Sequence, residues 1–138
     1  MKKLFYLLIC CFALVGCNKN FDSVIFKGRN LAGYWALVED DIDGIKHYDR
    51  PTYMICFDGN RFSDWYCKNE EGYTFKDGYF HGCTINDFET EGNFDLSIKG
   101  SSLFVMNMFM GSLSFERGLL RIGYDYNYEL YERVKGFK

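Results

Sequence analysis

Proline occurs once in the 138 residues, at Pro51, and no segment carries a sustained helical period. The scarcity leaves long stretches free to enter a hydrogen-bonded sheet, and the lone proline precedes a strand-like run, where its missing amide proton does no harm. Histidine is nearly as rare, limited to His47 and His81. Neither has a helical partner at metal-ligand spacing, which weighs against a histidine-built metal centre. Serine elbows and phosphate-cradling glycine loops are missing too, because the 14 glycines punctuate short apolar runs and do not open helices. Positive charge is not concentrated: 16 Lys and Arg stand against 19 Asp and Glu, with no basic cluster longer than a pair. That balance argues against a nucleic-acid surface. Nor does any apolar run reach the roughly 20 residues of a membrane-spanning helix.

What the chain does have begins at its front. Lys2 and Lys3 precede an apolar run from Leu4 to Val15, and Gly16 and Cys17 follow, the layout of a secretory signal. Leu14-Val15-Gly16-Cys17 resembles the bacterial lipobox, in which a peptidase cuts ahead of a cysteine carrying a diacylglyceryl thioether. The resemblance implies a signal peptide over residues 1–16, lipidation of Cys17 and a cell-envelope lipoprotein whose partner is a membrane. Buried acyl chains contribute about 0.8 kcal/mol per methylene, so an anchor of two or three chains is effectively permanent. Asn18 is not the aspartate that accompanies inner-membrane retention in such proteins, which points to the outer membrane. Losing Lys2 and Lys3 takes the net charge from −3 to −5 and leaves a length suited to one compact domain.

Processing also changes the cysteine count. Cys10 and Cys11 leave with the signal and Cys17 is capped, so Cys56, Cys67 and Cys83 remain, an odd number. A hairpin turning near Asp58-Gly59-Asn60 sets Ser63 or Arg61 opposite Cys56, so a Cys56–Cys67 disulfide would need a shifted register. Buried thiols acting as small apolar side chains are the expectation.

Residues 17–30 read as a lipidated tether with a short ordered piece at Val24-Ile25-Phe26, and residues 31–138 as one β domain. Short runs rich in Tyr, Phe, Val, Ile and Thr predict strands at residues 34–39, 52–57, 61–68, 73–75, 79–85, 94–98, 103–109, 113–116, 119–124 and 128–134. Turns are predicted at Asp58-Gly59, Glu71-Gly72, Asp77-Gly78, Glu91-Gly92, Lys99-Gly100 and Arg117-Gly118, and such short links favour antiparallel neighbours. A meander of about eight to ten strands follows. With 20% aromatic residues, closing it into an antiparallel β-barrel buries the rings and removes the edges. Alternation agrees: Tyr53, Ile55 and Phe57 share a face with Phe62 and Tyr66 across the turn, and Leu120, Ile122 and Tyr124 alternate with Arg121 and Gly123.

"LAGYWALVE" (residues 31–39) carries Gly33-x-Trp35 at the first strand of this domain, and "YELYERVKG" near the end carries Arg133. In this the chain resembles the small lipocalin-like lipoproteins of bacteria. The resemblance implies a barrel base in which the late basic residue, Arg133, lies over the indole of Trp35 beside Gly33, a cation held against an aromatic face.

Candidate sites are then weighed residue by residue. The run "FVMNMFM" (residues 104–110) places Met106, Met108 and Met110 on one strand face, either filling a tapering core or forming an adaptable ligand wall. Ile55, Phe57, Tyr66, Met106 and Met108 are the expected contacts for a small hydrophobic or amphipathic ligand. The acidic loop "EDDIDG" (residues 39–44) fails as a calcium loop because Arg50 falls on the twelfth position, and "INDFETEGN" (residues 85–93) fails with Ile98 there. His81 and Cys83 alternate on a strand, a commonplace spacing that marks no nucleophile pair by itself. No catalytic residue, metal or cofactor is expected. The alternative to ligand binding is a barrel with a packed core that meets an envelope protein partner through Tyr124, Tyr126 and Tyr128.

Overall fold

The computed structural model describes residues 20–69 and 71–138; Cys17 and the signal-peptide reading of residues 1–16 lie outside the described residues. The elements are β1 (Ile25–Phe26), β2 (Arg29–Asn30), β3 (Gly33–Asp40), β4 (Lys46–His47), β5 (Tyr53–Asp58), β6 (Arg61–Cys67) and β7 (Thr74–Lys76). They continue with β8 (Tyr79–His81), β9 (Phe88–Lys99), β10 (Ser102–Val105), β11 (Met108–Glu116), β12 (Leu119–Tyr124), β13 (Asn127–Arg133) and β14 (Gly136–Phe137). Apart from one 3₁₀ turn at Ile85–Asp87, the described elements are all strands.

Nine strands form one antiparallel sheet in the order β13-β12-β11-β10-β9-β6-β5-β3-β4, and β13 pairs in addition with β3. That last pairing closes the sheet into a ring, with β4 extending from the free stretch of β3 at Glu39 and Asp40. The predicted antiparallel closure is thereby present, and it leaves the ring's own strands no unpaired edge.

Register fixes which side chains point inward. Trp35 pairs with Ile55, Phe57 with Phe62, and Leu113 with Ile122, so one alternate set lines the interior. Leu31, Trp35, Ile55, Phe57, Leu113 and Leu120 are each at most 3% exposed there. The opposite face of β3 and β5 is apolar as well. Tyr34, Ala36, Met54 and Cys56 are buried under a small second sheet, β14-β8-β7, in which Phe80 stacks on Phe137 at 5.2 Å and touches Phe75 at 4.6 Å. Residues 73–75 and 79–85, predicted as strands of the meander, therefore lie outside the ring. They cover it, because β14 returns to pair in parallel with β8.

Two further corrections concern turns. Glu91-Gly92 is not a reversal: β9 runs unbroken for 12 residues, and Gly92, at φ 135°, absorbs a bulge where Ser63 and Trp65 face Asn93 and Thr90. Conversely, the strand predicted over residues 103–109 is a hairpin. Met106 and Asn107 both take positive φ, 53° and 61°, the geometry of a two-residue reversal whose twist matches the flanking strands.

The described part of the segment read as a tether, residues 20–30, is folded. Val24 and Phe26 are buried in the interior cluster, Phe26 meets Phe115 at 5.7 Å, and Asp22 is tied to the β5–β6 turn through Asp58 Oδ1 and the Gly59 amide. Its β1–β2 hairpin closes the end of the ring that carries the β5–β6, β9–β10 and β11–β12 turns. At the other end stand the β10–β11 and β12–β13 turns and the β3–β4 loop.

Candidate functional site

At the closed end the interior is filled. Arg133 holds its guanidinium 4.4 Å from the Trp35 ring, donates through Nη1 to the Ala32 carbonyl at 2.9 Å and through Nη2 to the Asn30 carbonyl. Trp35 Nε1 donates to the Leu31 carbonyl at 2.8 Å, and Gly33 is buried opposite Phe57. Burial lowers the pKa of Arg133 without removing its charge, since guanidinium starts so high.

Toward the other end the inward side chains no longer meet, and a cavity of about 370 Å³ remains. This lies at the small end of the roughly 300–1,000 Å³ typical of small-molecule sites. Its floor and walls are Ile55, Phe62, Leu103 and Ile122, from four different strands. Above them Tyr53, Tyr124 and Tyr131 contribute rings, and Phe109 and Met110 form one side of the mouth. A bulge sets this last pair in place: Leu103 faces Gly111 while Phe104 faces Phe109, so Met110 is the extra residue. The bulge needs glycine at 111, where φ is 140° and a Cβ would stand 2.8 Å from the Gly123 carbonyl oxygen.

Beyond the tyrosine hydroxyls, the polar side chains of the cavity are acidic. Glu129 and Asp125 line it, and no Lys, Arg or His does. Burial raises the Glu129 pKa, the Asp40 carboxylate adds to the rise, and a hydrogen bond from the Tyr131 hydroxyl opposes it. Tyr53 and Tyr131 are raised by burial first and then by neighbouring acids, so both hydroxyls stay protonated and act as donors. Asp64, inward-facing opposite Ile55, accepts from the Tyr66 hydroxyl at 3.3 Å through Oδ2, whereas its buried Oδ1 has no hydrogen-bond partner.

The residues expected to contact a ligand are dispersed. Ile55 lines the cavity. Phe57 sits below it in the packed interior, fully buried with its ring 5.7 Å from Phe62. Tyr66 stands outside the lining, with its ring 5.0 Å from Tyr53. Met106 occupies the hairpin turn and Met108 follows it, 51% and 58% exposed, so the three methionines do not share one strand face. The reversal at residues 106–107 moves them to the rim, and Met110 reaches the cavity in their place. Sequence reasoning missed Glu129, although its i, i+2 spacing from Tyr131 marks the same strand face.

Other groupings carry less chemistry. Cys83 is buried, which pushes its thiol up to about 11 and keeps it protonated near neutrality, while His81 is exposed on β8. Outside the ring, Glu39 accepts from Tyr128 Oη at 2.8 Å and pairs with His47 Nδ1 at 2.8 Å, satisfying a buried carboxylate. Among the described residues no group of three or more His, Cys, Asp or Glu side chains is placed to hold a metal. Compared with family models, curated proteins and solved structures, the chain matches none.

Proposed function

We propose that this protein is a lipid-anchored lipoprotein of the bacterial cell envelope whose ring is a lipocalin-like barrel that binds a small apolar or amphipathic molecule, without a catalytic role. The observation that carries the reading is the cavity: apolar below, ringed by tyrosines, and left unfilled although the same strands pack tightly a few residues lower. Apolar walls with a few convergent polar groups are the usual make-up of a small-molecule site. The Arg133–Trp35 contact at the base supports the lipocalin-like part of the reading.

The anchor belongs to the same proposal and constrains its geometry. Asn20, the first described residue, stands at the closed end, and Cys17, three positions earlier, lies within about 11 Å of it even for fully extended chain. A lipid on Cys17 thus holds the closed end against its leaflet, in this reading the outer membrane, and turns the mouth away. The ligand then arrives from the aqueous side.

Native mass spectrometry of the full chain after mild purification tests the binding. The expected result is a bound apolar or amphipathic mass that Leu103→Trp, by filling the cavity, displaces; a protein that neither carries nor accepts such a molecule overturns the reading. Palmitate labelling in a bacterial host, lost in Cys17→Ser, tests the anchor separately.

A second reading, a docking module for an envelope protein, draws on the rim. Met106, Met108, Phe109 and Tyr126, the last 97% exposed, all stand at the open end, whereas Tyr124 and Tyr128 are half-buried. Serine at Met106, Met108 and Tyr126 would abolish that docking and leave small-molecule binding intact.

A further inference from the structure

We propose that the cavity selects a cationic amphiphile: an ammonium group on a short apolar body, held between the Glu129 carboxylate and the rings of Tyr53, Tyr124 and Tyr131. The inference rests on the small-molecule reading and adds the charge of the ligand.

Three observations on different strands agree. The cavity lining holds two carboxyl groups and no basic side chain, so its polar end has one sign. Asp64 adds an inward acid from β6, and its buried Oδ1 has no hydrogen-bond partner. Aromatic rings from β5, β12 and β13 surround the same space, and their negative faces attract cations, the arrangement that recognises organic ammonium groups.

None of the basic side chains lines the cavity, and three are engaged elsewhere. Arg133 is fixed on Trp35 at the closed end, Arg121 lies over Tyr128, and Arg61 pairs with Asp95 at 2.6 Å. Burial holds the Glu129 carboxyl above the usual carboxylate range, which is how an acid behaves when it lacks a counter-charge. An incoming ammonium supplies that charge and favours the ionised carboxylate. A carboxylate ligand meets the opposite situation, two or three acids with no cation to offset them.

Calorimetry on the full chain in nanodiscs, with empty discs as the blank, tests this using hexyltrimethylammonium, hexanol and hexanoate. The expected order is the ammonium at least tenfold tighter than hexanoate, with hexanol between. Glu129→Gln should bring the ammonium to the level of hexanol, and Tyr53→Leu should weaken it severalfold while hexanol is held as before. Hexanoate binding as tightly as the ammonium overturns the inference and leaves the cavity reading standing. An undiminished preference in a folded Glu129→Gln variant does the same. If none of the three hexyl probes binds, both readings fall together.

Discussion

The two ends of one ring are built from the same eight strands yet solve opposite problems. At the closed end Asn30, Trp35 and Arg133 all have hydrogen-bond partners, and the N-terminal hairpin drives Val24 and Phe26 into the space between the strands. At the open end stand the β-bulge at Met110 and the hairpin turn at Met106-Asn107, and no described segment inserts. The charges follow the same division: one cation held by carbonyls and an indole below, and a cavity lined by acids without a basic side chain above. Protein interiors are close-packed unless something keeps them open, so packing is concentrated at one end and the proposed recognition falls to the other.

Substitutions of like kind at the two ends should break this comparison most sharply. Trp35→Ala removes a ring only 3% exposed and should cost about 3–5 kcal/mol, whereas Met110→Ala at the mouth should cost under about 1 kcal/mol, as denaturant midpoints would show. Equal losses would mean that the open end is packed in solution. Next in size is Arg133→Met, which keeps the apolar stem against Trp35 but deprives two carbonyls of a charged donor. A loss of roughly 2–3 kcal/mol is expected, with ligand binding at the far end unchanged.

How much of this was legible depended on whether the signal was local. The inward face of β12 could be read because Leu120, Ile122 and Tyr124 alternate with Arg121 and Gly123, and that of β5 from the spacing of Tyr53, Ile55 and Phe57, although Met54 and Cys56 make its other face apolar too. The reversal at Met106-Asn107 could not, since it uses no glycine and methionine seldom takes positive φ. Gly92 shows the converse ambiguity, an acidic residue followed by glycine that serves a bulge as well as a turn. The outer sheet rests on residues 136–137 reaching back to residues 79–80, a contact with no local mark. Glu129 and Asp64 were hidden for another reason. A charge within a strand ordinarily signals its wet face, and only the parity shared with Tyr131 and with Phe62 turned them inward.

The smallest effect sharpens the comparison at its polar centre. Because folding raises the Glu129 pKa above the ordinary 4.5, the folded state retains a proton that the unfolded state has released, and stability falls as pH rises through that interval. Glutamine at 129 keeps the shape without the charge. Thermal melts should therefore show Glu129→Gln more stable than the parent at pH 7, with the difference closing as pH drops below 4.5, where both side chains are neutral. The opposite trend, a parent that gains on the variant as pH rises, would reveal a counter-charge beside Glu129 and make the open end as electrostatically complete as the closed one.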